Sequence, residues 1–132
     1  MMSNLQAFLD TIAYSEGTDN GRQLTKDRGY DVVVGGSLFT DYSDQHHRTK
    51  SGWRLARRLV DLPKLGIKST AAGRYQILAR FYDAYKKQLS LPDFSPKSQD
   101  KIAIQLIKEC KALDDINAGR IKDALVKCRS RW

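Results

Sequence analysis

"LQAFLDTIAYSEGTDNG", residues 5–21, is the stretch on which the architecture turns. Leu5, Phe8, Leu9, Ile12 and Ala13 recur at spacings of three and four, the period of an amphipathic helix. Ser3 or Asn4 stands where an N-cap belongs, and Gly17 is a stop signal. Glu16, the last residue before that glycine, does not fall on the polar side. At ~100° per residue it lies within roughly 20° of Leu5 and Leu9 and about 40° of Ile12. Partial burial disfavours a charged carboxylate, and so does the negative end of a helix dipole. Both raise the pKa, which suits a general acid that must hold a proton near neutral pH. The competing reading is a frayed helix end with Glu16 turned to solvent.

Outward from this helix, "TDNGRQLTKDRG" (18–29) is a polar loop. "YDVVVGGSLFTDY" (30–42) has β-branched and aromatic runs around Gly35-Gly36, which predicts a tight hairpin. "SDQHHRTKSG" reads as loop, and "WRLARRLVDL" (53–62) as a short basic helix stopped near Pro63. A second clear helix is predicted from about Arg74 to Leu89, with Leu78, Phe81, Tyr82, Tyr85 and Leu89 as its stripe. Ser95 caps a third, with Pro96 at its first position, and "AGRIKDALVKC" is a shorter fourth. The order of helix, hairpin and further helices predicts an α+β chain with a small sheet. A helix-terminal glutamate, a polar loop and a small sheet can form two walls of a cleft, a place to protonate a glycosidic oxygen.

The bulk numbers narrow the class. A chain of 132 residues makes one domain, and 41% hydrophobic residues argue for a folded globule. The net charge of +8 points to an anionic partner, which composition leaves open among nucleic acid, a membrane surface and cell wall. Cys110 and Cys128 have no CxxC spacing and read as small core residues in a reducing compartment. No apolar run is long enough for a transmembrane helix, and the start lacks the form of a signal peptide. His46 and His47 are adjacent, point apart and have no companion ligands, so they read as loop residues and no metal is expected.

Several blocks in one order carry a resemblance. "YSEGTDNGRQ", "GYDVVVGG", "LFTDYSD", "KSTAAGRYQIL" and "KQLSLPDFSPKSQD" are similar to segments of the phage lambda lysozyme family of lytic transglycosylases. The likeness runs from about Phe8 to the neighbourhood of Trp132, interrupted around residues 45–60. It implies a lysozyme-like fold, mainly helical with a small antiparallel β-hairpin or sheet bordering the active-site cleft, in a single catalytic domain over 1–132. It also implies an endolysin that cuts the β-1,4 bond between N-acetylmuramic acid and N-acetylglucosamine, leaving a 1,6-anhydromuramic end. The catalytic glutamate of the SEG motif falls on Glu16.

The chemistry fits that expectation. Glu16 protonates the leaving oxygen, then takes the proton of the sugar's own 6-hydroxyl as it closes on C1. The nucleophile lies inside the substrate, so no second carboxylate and no cofactor is required. Asp31, Asp41 and Asp44 could serve a hydrolase instead, or be solvated turn residues. Gly73-Arg74-Tyr75-Gln76 resembles a Gly-x-x-Gln segment of lytic transglycosylases. There Gly73 lets backbone approach a sugar, Gln76 offers donor and acceptor to an N-acetyl group, and Tyr75 either stacks on a sugar or fills the core. Arg74 either meets a peptide-stem carboxylate or is solvated. Asn20 and Tyr42 are cleft residues by resemblance, and Phe39 reads as core. The implied partners are peptidoglycan glycan strands, with no nucleic acid, no stable membrane insertion and a monomeric chain. Starting in the host cytoplasm, the protein would reach the wall through a separate membrane pore.

Two departures from the family stand out. "QHHRTKSGWRLARRL" is longer and more basic than its counterpart, either an anion-binding flap or a surface insertion. Family members continue past the position of Trp132, which leaves Trp132 and the stripe of Ile121, Leu125 and Cys128 expected to lack a packing partner. The alternatives are therefore a catalytically impaired prophage remnant that binds peptidoglycan, or a basic nucleic-acid-binding module built on "RTKSGWRLARRL".

Overall fold

The computed structural model describes residues 3–40, 42–43, 60–62 and 67–132, with 60–62 and 67–69 as backbone alone. Helix α1 (Asn4–Ser15) opens with the Ser3 hydroxyl accepting the Gln6 N–H, and buries Phe8, Leu9, Ile12 and Ala13. The apolar period chose that face. Strands β1 (Val60–Leu62) and β2 (Ile67–Ser69) pair antiparallel, Val60 opposite Ser69. Four helices follow: α2 (Ala79–Gln88), α3 (Pro96–Glu109), α4 (Leu113–Asn117) and α5 (Ile121–Cys128). Ser95 caps α3 through its side chain and Pro96 sits in the first turn, as the sequence predicts. The core joins α1, α3, α4 and α5 through Phe8, Phe94, Ile102, Ile107, Ile116 and Ala124.

Three expectations need correction, and one short helix went unmarked. The segment around Gly35-Gly36 turns back on itself, with Val33 N–H donating to Ser37 O at 2.8 Å, but it carries one isolated bridge, Val32 to Leu38, in place of two strands. The valine run pairs elsewhere: Val33 bridges to Ala72, Val34 N–H donates to Ala71 O, and Gly73 N–H donates to Val32 O. The end of the predicted basic helix, Val60–Leu62, is strand β1, and the rest of that stretch lies outside the described residues. Helix α2 starts at Ala79 instead of Arg74, because Gly73 and Gln76 are left-handed and Ala72 and Ile77 exchange both backbone hydrogen bonds. Helix α4, at five residues, is too short to show a period.

The C-terminal expectation also changes. Trp132 Nε1 donates to Tyr75 O at 3.1 Å, Trp132 packs against the core, and Cys128 is buried. Ile121, Leu125 and Val126 remain exposed. Cys110 and Cys128 are free thiols. Burial, and then neighbouring Cys110, push the Cys128 thiol up to about 12.

Candidate functional site

The α1 helix is closed at Glu16 and does not fray there. Glu16 N–H donates to Ile12 O at 2.8 Å, Gly17 N–H to Tyr14 O at 3.1 Å and Thr18 N–H to Ala13 O at 3.0 Å. Gly17 takes a φ of +77°, the left-handed cap that reverses the chain. This leaves the Glu16 side chain half-buried, with no hydrogen-bond or ion-pair partner among the described residues. Burial raises its pKa above the ordinary glutamate value.

That shift has a consequence for stability. The folded chain holds the Glu16 proton more tightly than the unfolded one, so the contribution is full below the unfolded value and lost as pH rises through the raised one. Glu16→Gln cannot ionise. Its thermal midpoint is expected to exceed wild type at pH 7, with the difference gone below about pH 4. Scanning calorimetry at the two pH values checks this; a lead that persists at low pH would assign the gain to something other than ionisation.

The loop after Glu16 is built by its own side chains. Asn20 Oδ1 accepts N–H bonds from Arg22 and Gln23, both at 2.9 Å. Its Nδ2 faces Gly17, 3.8 Å from where a Cβ would stand. Thr18 is buried, and its hydroxyl donates to the Arg74 carbonyl. That bond draws the loop onto the Gly73–Gln76 segment.

Within this segment the side chains divide by direction. Gly73 has a φ of +81°, and a Cβ there would overlap Gln99 Oε1. Arg74 is not solvated: at 1% exposure its guanidinium meets Asp10 at 2.8 Å and Asp19 at 3.1 Å. Burial opposes its charge, but Tyr75, Asp10 and Asp19 outweigh burial and hold it protonated. Tyr75 is a core residue whose hydroxyl donates to Asp100 at 2.6 Å, edge-on to Tyr30. Gln76 is half-exposed, with Nε2 donating to Gly73 O at 2.9 Å and Val32 O at 3.2 Å. Its Oε1 has no partner among the described residues. A left-handed φ of +53° on this non-glycine residue is backbone strain held by the surrounding bonds.

Tyr42 belongs to a different set of contacts. Its hydroxyl donates to Asp27 at 2.7 Å, its ring meets Phe39 edge-on, and its carbonyl accepts Phe94 N–H. Asp31 is buried, accepting from the Thr25 hydroxyl and from Lys26 N–H. Asp41, Asp44, His46, His47 and Trp53 lie outside the described residues.

Four residues of this region went unmarked in the sequence. Gln99 reads as a helix-surface residue, yet it is buried and accepts Arg74 N–H while donating to Tyr30 O and Phe94 O. Asp10, Asp19 and Thr18 are ordinary polar positions until Arg74 arrives from far along the chain. The available signal was an arginine directly after a glycine, in a segment that carries no other charge from Ser69 to Ala79.

A family model described as Endolysin matches residues 6–132. The chain is 58% identical over 128 residues to an endolysin of Escherichia phage lambda, covering 96% of this chain and 73% of that protein. It is 54% identical over 134 residues to an endolysin of Escherichia phage P2, covering 98% of this chain and 77% of the other. The structure of bacteriophage lambda lysozyme complexed with a chitohexasaccharide superimposes with a TM-score of 0.87 at 54% identity, over 100% of this chain and 79% of that one.

Proposed function

The chain belongs to the endolysin family of phages lambda and P2, and from that premise we propose that it degrades bacterial peptidoglycan as a lytic transglycosylase during host lysis. The carrying observation is Glu16: a half-buried carboxyl at a closed helix end, unpartnered among the described residues and with a raised pKa. Such a group is protonated more readily than an exposed glutamate and has its proton free to give. Glu16 donates to the glycosidic oxygen between N-acetylmuramic acid and N-acetylglucosamine, and the C1–O4 bond breaks. The muramic 6-hydroxyl then attacks C1, its proton returns to Glu16, and the 1,6-anhydro ring closes with no net water consumed.

The intramolecular nucleophile is favoured because Asp31 is buried and already engaged by the Thr25 hydroxyl and Lys26 N–H, which suits a structural role for it. The whole described chain acts as one lysozyme-like catalytic domain. Among the family-derived contacts, Gln76 and Asn20 suit the substrate. Each keeps an amide group that its own loop leaves unused: the Gln76 carbonyl and the Asn20 NH2. Gly73, Arg74, Tyr75 and Tyr42 serve the reaction as its frame, since their polar groups are taken up within the chain. The glycan is the expected partner, and the chitohexasaccharide bound by lambda lysozyme supports a glycan-binding cleft. Among the described residues no helix is long and apolar enough to cross a membrane; release to the wall through a separate membrane pore is part of the proposed reading.

The test is digestion of purified Gram-negative sacculi. Release of soluble muropeptides supports the proposal. Retention on sacculi without release would leave a wall-binding remnant. Salt-sensitive DNA binding without release would favour the nucleic-acid module.

A further inference from the structure

Arg74 is tied to more of the chain than any role in binding substrate would require. Its guanidinium, 1% exposed, donates from Nη2 to Asp10 at 2.8 Å and Asp19 at 3.1 Å, and from Nε to Arg28 O at 2.9 Å. The backbone is held as firmly, with N–H on Gln99 Oε1 at 2.9 Å and the carbonyl under the Thr18 hydroxyl. The two carboxylates flank the catalytic position in the chain: Asp10 precedes Glu16 on α1, and Asp19 follows it beyond the Gly17 cap. Asp10 is itself oriented by the Gln6 amide at 3.0 Å.

We infer that Arg74 is a positioning residue for Glu16, clamping the body of α1 at Asp10 and the loop beyond the helix at Thr18 and Asp19 to one buried point. The inference rests on Glu16 being the acid. Proton transfer requires hydrogen-bond reach, and a displacement of about 1 Å costs on the order of 100-fold in rate. A glutamate at a helix end is exposed to such drift, because one glycine follows it and its carboxyl has no bond of its own among the described residues. Pinning both flanks to a planar fork with several donors limits that drift. Arg74 has no outward face from which to touch substrate.

The test measures kcat and KM per folded molecule on solubilised glycan strands for Asp19→Asn, Asp19→Glu, Arg74→Lys and Glu16→Gln, with thermal melts alongside. Asp19 is part-exposed, so its variants are expected to fold. Asp19→Asn is expected to lower kcat about tenfold with KM within about twofold, and Asp19→Glu to recover most of that loss. Arg74→Lys keeps the charge but cannot span both carboxylates and the Arg28 carbonyl; its kcat is expected to fall about 100-fold. If Arg74→Lys does not fold, Asp19→Asn decides. Unchanged kcat per folded molecule, or a raised KM at unchanged kcat, would overturn the inference. Should Glu16→Gln remain active, the catalytic reading falls and takes this inference with it. Should Glu16→Gln be dead while the clamp variants keep wild-type kcat, only the clamp falls.

Discussion

Glu16→Gln is expected to lower the rate of glycan cleavage by about 10²–10⁴-fold while binding to the glycan persists, because the variant removes a positioned general acid and little else. Glutamine matches the side chain in size and leaves the closed helix end intact, since the bonds of Ile12, Ala13 and Tyr14 to the cap are all backbone. The loss should therefore appear in kcat with KM little changed. Single-turnover rates and sedimentation with sacculi measure the two separately. A variant with a tenth or more of wild-type activity would show that the proton comes from elsewhere.

The second large effect is on stability, at Gly73→Ala. Its φ of +81° disfavours any L side chain by about 1–2 kcal/mol. The new Cβ would also overlap Gln99 Oε1 and lie 3.0 Å from Phe94 Cζ. Gln99 cannot swing aside without loss, since it bonds Arg74 N–H, Tyr30 O and Phe94 O in the interior. Forced overpacking adds about 1–3 kcal/mol, for a total of about 2–5 kcal/mol, read from the urea midpoint. Gly119 supplies the control. It has the same φ of +81° with nothing within 4 Å of a Cβ, so Gly119→Ala should lose only the backbone share. Equal losses at the two sites would remove the packing argument.

The features legible in the sequence are those set by local pattern. The α1 and α3 helices announce themselves by period and cap, and Glu16, in phase with the α1 stripe, is half-buried at the helix end; phase along one helix needs no tertiary information. Where long-range pairing competes with local preference, the reading drifts. Arg74 to Leu78 looks like the start of α2, but two left-handed residues and the Ala72–Ile77 pairing hold it in a turn. Val32 to Val34 looks like half of a hairpin, but its better partner is Ala71 to Gly73, distant in sequence. The same limit explains Arg74 itself. An arginine reads as solvated or ligand-facing until the carboxylates that neutralise it are found on α1 and its following loop. Gln99 is hidden for the complementary reason: a lone polar residue in a helix gives no sign that three backbone groups await it.

Cleavage by a single acid acting with a nucleophile carried by the substrate is tested most directly in oxygen-18 water. Peptidoglycan digested by the wild-type chain in such water should yield muropeptides ending in 1,6-anhydromuramic acid, lighter by one water than hydrolysis products and free of the heavy isotope. Reducing ends carrying oxygen-18 would mean that water attacks C1, and a second carboxylate would then have to be found.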